Sequence, residues 1–334
     1  MKPESLSHSA HLLDPEIAPF LPLWPIKELN ASTLQSSRAL LEKVVTAQSM
    51  ASGGRASESG LVRKEVMISG KAGQPDIRAI IHRPEGDHVT PGYFHVHGGG
   101  FVMGAPEFTE DRDRAVAIEH GCTVISPAYR LAPETKFPGA IGDLYTALKW
   151  FRDNAAELGV DPGNIIVAGE SAGGGHAAAL STLARDRGEV VIAGQLLMYP
   201  MIDDRTGSTI DRGSYAGEFL WTVDNNRFGW TSLLPCEPGS DQVSPYAAAS
   251  RAEDLAGLPP TALFVGTLDL FFDENIEYIR RLVKAGVPAK MHVYPGAYHA
   301  FDLAGDTRLG KELLRDKRES LDWLLHRSDR TLAT

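Results

Sequence analysis

The most constraining feature of this chain is a serine with glycine two residues to either side, set between an apolar run and an alanine-rich stretch. Gly169-Glu170-Ser171-Ala172-Gly173 follows Ile165–Ala168 and precedes the helical pattern from Ala177 to Arg185. A strand that turns into a helix within so few residues strains the serine backbone, and side chains two positions away would collide across the turn. Gly169 and Gly173 remove those side chains. An ordinary glycine-containing helix start is the bland alternative. The five residues alone do not separate the two; the strand before and the helix after favour a nucleophilic Ser171.

A serine hydroxyl is a poor nucleophile near neutral pH, so the same chain must supply a base and a group that orients it. In a fold built on such a strand–serine–helix turn the expected order is serine, then an acid, then histidine, each on a loop after a strand. Asp269 follows the run Thr261–Gly266, and His299 follows Met291–Tyr294 through the turn Pro295-Gly296-Ala297-Tyr298. Of the eleven histidines, only His299 lies beyond the acid and just past a strand, whereas His176 falls on the helix after Ser171 and His120 near a helix end. Asp273 and Glu274 compete with Asp269 but read as the first turn of the next helix, where negative charge favours the dipole. A histidine base predicts hydrolysis that rises between about pH 6 and 8 and then levels.

A second glycine cluster, His97-Gly98-Gly99-Gly100-Phe101, directly follows the strand Tyr93–Val96. Consecutive glycines let a backbone approach a ligand and turn its N–H groups toward one point, as a developing oxyanion requires. Gly98 and Gly99, with the N–H of Ala172, would form a three-donor hole. A flexible turn or a phosphate loop is the alternative, but the spacing fits neither a P-loop nor a dinucleotide fingerprint. A metal site on His95 and His97 lacks an evident third ligand.

Around these motifs, short β-branched runs alternate with longer helical segments, the pattern of a mostly parallel central sheet covered by helices. Strands are expected at Leu61–Ser69, Tyr93–Val96, Thr123–Ser126, Ile165–Ala168, Val191–Tyr199, Ala262–Gly266 and Met291–Tyr294. A helix from Glu274 to Ala285 would place Ile276, Ile279 and Leu282 on one face and stop at Gly286 and Pro288. Residues 1–60 read as a separate N-terminal cap segment: a Leu/Pro-rich stretch, a helix capped by Ser32, and a Gly/Ser-rich connector from Ser52 to Gly60. Residues 201–243 interrupt the alternation with a polar, glycine-rich insertion anchored by Phe219-Leu220-Trp221 and Phe228-Gly229-Trp230. Insertions at strand C-terminal edges build ligand crevices, so this segment is expected to join the cap over a core of residues 61–200 and 244–334. A surface excursion remote from the site is the alternative.

With a formal net charge of −10 and no Lys/Arg-rich run, nucleic acid and anionic membranes are poor partners. No stretch reaches the roughly 20 apolar residues of a membrane span. Met1 through Pro15 has one lysine and no apolar signal-type run, so a cytoplasmic location is expected. Cys122 and Cys236 lack metal-type spacing, and Cys122 in Cys122-Thr123-Val124-Ile125 reads as a buried thiol.

These motifs together resemble the bacterial hormone-sensitive-lipase-like carboxylesterases, from roughly Ile80 to the C-terminus. The likeness rests on the glycine cluster at 97–101, Tyr129-Arg130-Leu131-Ala132-Pro133-Glu134 with Phe137-Pro138, and Gly169-Glu170-Ser171-Ala172-Gly173-Gly174. Asp269 with Asp273-Glu274, and His299-Ala300-Phe301, complete it. The resemblance implies an α/β-hydrolase fold with a helical cap, a triad of Ser171, Asp269 and His299, and an oxyanion hole at Gly98, Gly99 and Ala172. It also implies small ester substrates of short to medium acyl length, no metal or organic cofactor, and a homodimer through the sheet edge near Met291–Tyr294. Glu170 and Ala128 stand where the family more often has Asp, and the first departure adds a methylene beside the nucleophile. Amide or lactone hydrolysis by the same triad remains open. A non-catalytic ligand-binding homologue, as among plant receptors of this type, would lack the histidine that is present here as His299.

Overall fold

A computed structural model describes residues 7–51, 60–210, 213 and 215–326, so all but Gly60 of the expected Gly/Ser-rich connector lies outside the described residues. The apolar runs become eight strands: β1 (Leu61–Ile68), β2 (Ile77–Pro84), β3 (Thr90–Val96), β4 (Thr123–Pro127), β5 (Val160–Glu170), β6 (Gly194–Met198), β7 (Thr261–Gly266) and β8 (Ala289–Tyr294). They form one sheet in the order β1-β2-β4-β3-β5-β6-β7-β8, antiparallel at β1·β2 and β2·β4 and parallel from there on. The central parallel strands are buried on both faces, which explains their continuous apolar reading.

The helices are α1 (Leu34–Ala51), α2 (Glu110–His120), α3 (Gly139–Asp153), α4 (Ala155–Leu158), α5 (Ala172–Arg187), α6 (Val223–Leu233), α7 (Phe272–Lys284) and α8 (Arg308–Leu325). Successive side chains of a strand point to opposite faces. Position 92 of β3 faces Phe151 of α3, and His95, three residues on, faces Asp113 of α2. Thus α3 and its neighbour α5 cover one face, while α2 and α8, joined by an Arg318–Glu119 ion pair, cover the other.

Three expectations need correction. Strand β2 has no counterpart in the sequence reading. Its apolar alternation, Ile77, Ala79 and Ile81, is interrupted by Arg78, His82 and Arg83, of which His82 is buried against Glu110. The buried stripe of α7 is Glu274, Asn275, Tyr278 and Leu282, and Ile276 is 37% exposed. The helix is rotated because Glu274 turns inward to accept the backbone N–H groups of Ile202 and Asp203 at 2.8 and 3.2 Å. At the start of α1 the capping side chain is Asn30, whose Oδ1 accepts from the N–H groups of Ser32 and Thr33 at 2.8 and 3.1 Å.

A second apolar cluster lies above the C-terminal ends of the strands. It joins Ile26, Leu29 and Leu34 of the N-terminal segment, Phe101–Met103 after β3, and Trp221 and Trp230 of the insertion. Polar contacts reinforce it: Leu29 N–H donates to Asn225 Oδ1 at 2.9 Å, and Ser9 N–H to Glu218 Oε2 at 2.7 Å.

Candidate active site

Between β5 and α5 the chain turns at Ser171, which has φ 56° and ψ −124°, a left-side conformation costly for a residue with a Cβ. The surroundings hold it there. Ser171 N–H donates to Met198 O at 2.9 Å, and its carbonyl accepts from Gly175 and Met201 at 2.9 Å each. The flanking glycines are required by contact: a Cβ at Gly169 would lie 2.5 Å from Gly173 C, and one at Gly173 would lie 2.1 Å from Val96 O. The turn therefore cannot accept side chains at these two positions.

Two distant loops meet this serine. His299 lies in the turn after β8, with Nε2 2.9 Å from Ser171 Oγ and Nδ1 2.8 Å from Asp269 Oδ2. A carboxylate only accepts, so Nδ1 must carry a proton, which leaves Nε2 of the neutral ring to accept from the serine hydroxyl. Asp269 follows β7 and is fully buried, and its other oxygen accepts the Phe271 N–H at 2.9 Å. Tyr199 and Phe271 approach the imidazole edge-on, with centroids at 4.7 and 5.1 Å, and Trp221 lies at 6.1 Å. This aromatic collar keeps the relay out of bulk water. Of the competing acids, Asp273 is exposed and Glu274 is committed to the start of the insertion.

The glycine loop folds differently from the expectation at one position. Gly98 N–H donates to Glu170 Oε1 at 3.1 Å and so is not available to an oxyanion. Gly99 (φ 125°) and Gly100 (φ 61°) follow in conformations that favour glycine. Among the described residues neither of their N–H groups has an acceptor within the chain. The N–H of Ala172, first residue of α5, has no acceptor inside its helix either. Among the described residues the N–H groups of Gly99, Gly100 and Ala172 thus remain free of an acceptor, whereas that of Gly98 does not, and Gly99 and Gly100 line the cavity with Ser171. Side chains there are excluded: a Cβ at Gly99 would lie 2.0 Å from Met103 O, and one at Gly100 would lie 2.2 Å from Trp221 Cη2.

His97 braces the loop from beneath. Its Nδ1 donates to Gly98 O at 2.9 Å, and its ring stacks on Tyr129 at 4.3 Å while the Tyr129 hydroxyl donates to His97 O at 2.7 Å. Burial lowers the His97 pKa to about 4, so the ring is neutral. His95 has separate partners, Asp113 and Glu170, so the two histidines do not converge on one point. His176 is buried against Phe101 and Tyr129, with burial again lowering its pKa, to about 3.

A cavity opens over Ser171 and His299. Its apolar walls come from Trp24, Leu41 and Val44 of the N-terminal segment, Leu220 and Trp221 of the insertion, and Phe108. One wall is polar: Arg112 pairs with Asp302 at 2.6 Å, and Asp302 also accepts from the Tyr199 hydroxyl at 2.6 Å. No sequence motif marked Arg112 or Asp302, because they meet only through the packing of α2 against the loop after His299.

Comparison with known proteins shows the family. A family profile described as alpha/beta hydrolase fold matches residues 93–303. The chain is 30% identical over 303 residues to the carboxylesterase NlhH of Mycobacterium tuberculosis, covering 86% of this chain and 88% of that one. It is 36% identical over 207 residues to an arylesterase of Saccharolobus solfataricus, covering 62% of this chain and 67% of that one. Among solved structures, a bacterial heroin esterase superposes with a TM-score of 0.87 at 35% identity, over 94% of this chain and 98% of that one. The chain belongs to the α/β-hydrolase fold family and, within it, to the hormone-sensitive-lipase-like carboxylesterases.

Proposed function

We propose that this carboxylesterase hydrolyses short- to medium-chain acyl esters through an acyl-enzyme on Ser171. The observation that carries the reading is the continuous chain of hydrogen bonds Ser171–His299–Asp269, at 2.9 and 2.8 Å, at the floor of an apolar cavity.

In the proposed reaction Ser171 Oγ attacks the ester carbonyl as its proton passes to His299 Nε2. Asp269 holds the resulting imidazolium, and the N–H groups of Gly99, Gly100 and Ala172 receive the oxyanion. The proton then goes to the departing alkoxide, which leaves as alcohol. Water attacks the acyl-enzyme with His299 again as base, and the acid departs.

Residues 1–60 and 201–243 serve as the cap in this reading. Support comes from the second apolar cluster, which packs both segments over the glycine loop. Apolar walls from Trp24, Leu41 and Trp221 suit an alkyl acyl group. Two free cysteines fit a reducing cytoplasm, and among the described residues no helix is long and apolar enough to cross a membrane. The free edge of β8 supports a homodimer across that strand.

A nitrophenyl ester series from acetate to palmitate tests the substrate class. The expected result is a maximum in kcat/KM between butyrate and octanoate, with no turnover by Ser171→Ala. Faster cleavage of emulsified long-chain triglyceride would overturn the chain length, and equal turnover of a matched anilide would overturn the ester preference.

A further inference from the structure

Glu170 stands immediately before the nucleophile, lines the same cavity, and spans two elements with its side chain. One carboxylate oxygen, Oε1, accepts the Gly98 N–H at 3.1 Å, and the other, Oε2, meets His95 Nε2 at 2.8 Å. The remaining nitrogen of His95, Nδ1, faces Asp113 Oδ1 at 2.5 Å, with Thr109 Oγ1 at 3.3 Å. We propose that Glu170, braced from behind by His95 and Asp113, is a positioning residue that holds the glycine loop in register for oxyanion binding.

The chemistry of the contacts supports this role. Both ring nitrogens of His95 face carboxylates, and carboxylates can only accept, so both nitrogens must donate and the ring is a cation. Burial opposes that charge, but Asp113 and Glu170 outweigh it and push the His95 pKa up to about 10. Burial likewise opposes ionisation of Glu170, but His95, Arg112 and the Gly98 N–H outweigh it and hold the carboxyl at about 2. An unbraced carboxylate beside the nucleophile would repel the oxyanion forming a few ångströms away. Pinned between a cation and a backbone donor, its charge is offset by those two partners.

The link to the reaction runs through the peptide plane. Gly98 N–H is the last anchored donor before Gly99 and Gly100, which line the pocket and whose own N–H groups have no acceptor among the described residues. A glycine pair adopts many conformations, so the direction of those two donors depends on what fixes the residue before them. Tyr129 and Glu170 hold the two ends of the His97–Gly98 peptide, its carbonyl and its N–H, while His97 Nδ1 holds the Gly98 carbonyl. The departure from the more usual aspartate therefore has a geometric reason. A side chain one methylene shorter cannot keep both the His95 and the Gly98 contacts without moving the loop.

This inference rests on the reading of Ser171 as nucleophile, and the test separates the two. Ser171→Ala, Glu170→Ala, Glu170→Asp and Glu170→Gln are compared for kcat and KM on nitrophenyl butyrate, affinity for a trifluoromethyl ketone, and melting midpoint. Glu170→Ala is expected to lower kcat on the order of 10²-fold with KM within about twofold, and to weaken trifluoromethyl ketone binding by a similar factor. Glu170→Gln keeps an acceptor for Gly98 and a donor for a neutral His95, so it recovers kcat to within about tenfold of the parent enzyme. Glu170→Asp falls between. A merely structural role would lower the melting midpoint and disturb KM as much as kcat, with Gln no better than Ala. That pattern, or a kcat for Glu170→Ala within threefold of the parent, overturns the proposal. If Glu170→Ala does not fold, Glu170→Asp with an unchanged kcat has the same force. Turnover that persists in Ser171→Ala would instead remove the underlying reading.

Discussion

Replacing Asp269 by asparagine preserves shape and volume while changing one oxygen into a donor, and the local bonding determines which one. Asp269 is fully buried; its Oδ1 accepts the Phe271 N–H at 2.9 Å and its Oδ2 faces His299 Nδ1 at 2.8 Å. Turning the amide nitrogen toward Phe271 would set two buried donors against each other, a mismatch worth about 1–3 kcal/mol. The asparagine therefore keeps its oxygen on Phe271 and presents N–H to the imidazole. Nδ1 must then accept, the ring proton moves to Nε2, and Nε2 can no longer take the proton of Ser171. The wrong tautomer lowers kcat by about 10⁴-fold in serine hydrolases, equivalent to about 5 kcal/mol of barrier. KM is expected to stay within about threefold, because the aspartate does not touch the pocket where substrate binds. The melting midpoint should move little, since every buried polar group keeps a partner. The assay is steady-state hydrolysis of nitrophenyl butyrate by Asp269→Asn, with the exposed Asp273→Asn as a control that leaves kcat unchanged. A folded Asp269→Asn enzyme with kcat within tenfold of the parent would refute the assignment of Asp269 as the orienting acid.

Three further outcomes are expected. Gly173→Ala places a Cβ 2.1 Å from Val96 O and 2.4 Å from His97 O, both backbone, so it should lose about 2–3 kcal/mol in urea unfolding, and an unchanged midpoint would contradict the packing. Arg38 donates to Val102 O at 2.7 Å and Ala132 O at 2.9 Å and pairs with Glu134; Arg38→Ala should loosen α1 and raise KM several-fold with kcat within twofold, as initial rates would reveal. Folding raises the pKa of His95 from 6.5 to about 10, because Asp113 and Glu170 outweigh burial. Its contribution to stability is therefore complete below about pH 6.5 and lost as pH rises through about 10. The urea midpoint should fall between pH 7 and 10 more steeply in the parent protein than in His95→Gln, and parallel curves would refute the pairing.

The triad candidates could be read from the sequence because each sits where a strand ends, and strand ends are visible as the close of an apolar run. Ser171 carries its own glycines, and Asp269 and His299 follow runs that became β7 and β8. The identity of the free N–H groups in the glycine loop could not be read in the same way. Three successive glycines look alike in sequence, and the difference among them comes from Glu170, brought beside Gly98 by the pairing of β3 with β5 at Val96 and Gly169. The His95–Asp113 contact is equally non-local, since it needs α2 folded back over β3. Strand β2 was obscured by buried polar residues such as His82, whose partner Glu110 lies on another element. On α7 the apolar spacing suggested a stripe through Ile276, but the inward turn of Glu274 selected the neighbouring face.

A nucleophilic Ser171 should be open to covalent capture. After incubation with a fluorophosphonate, peptide mass spectrometry should find one phosphonyl group per chain, on the peptide that carries Ser171, and none in Ser171→Ala. Labelling at another residue, or an unlabelled folded protein that still hydrolyses the ester, would show that Ser171 is not the nucleophile.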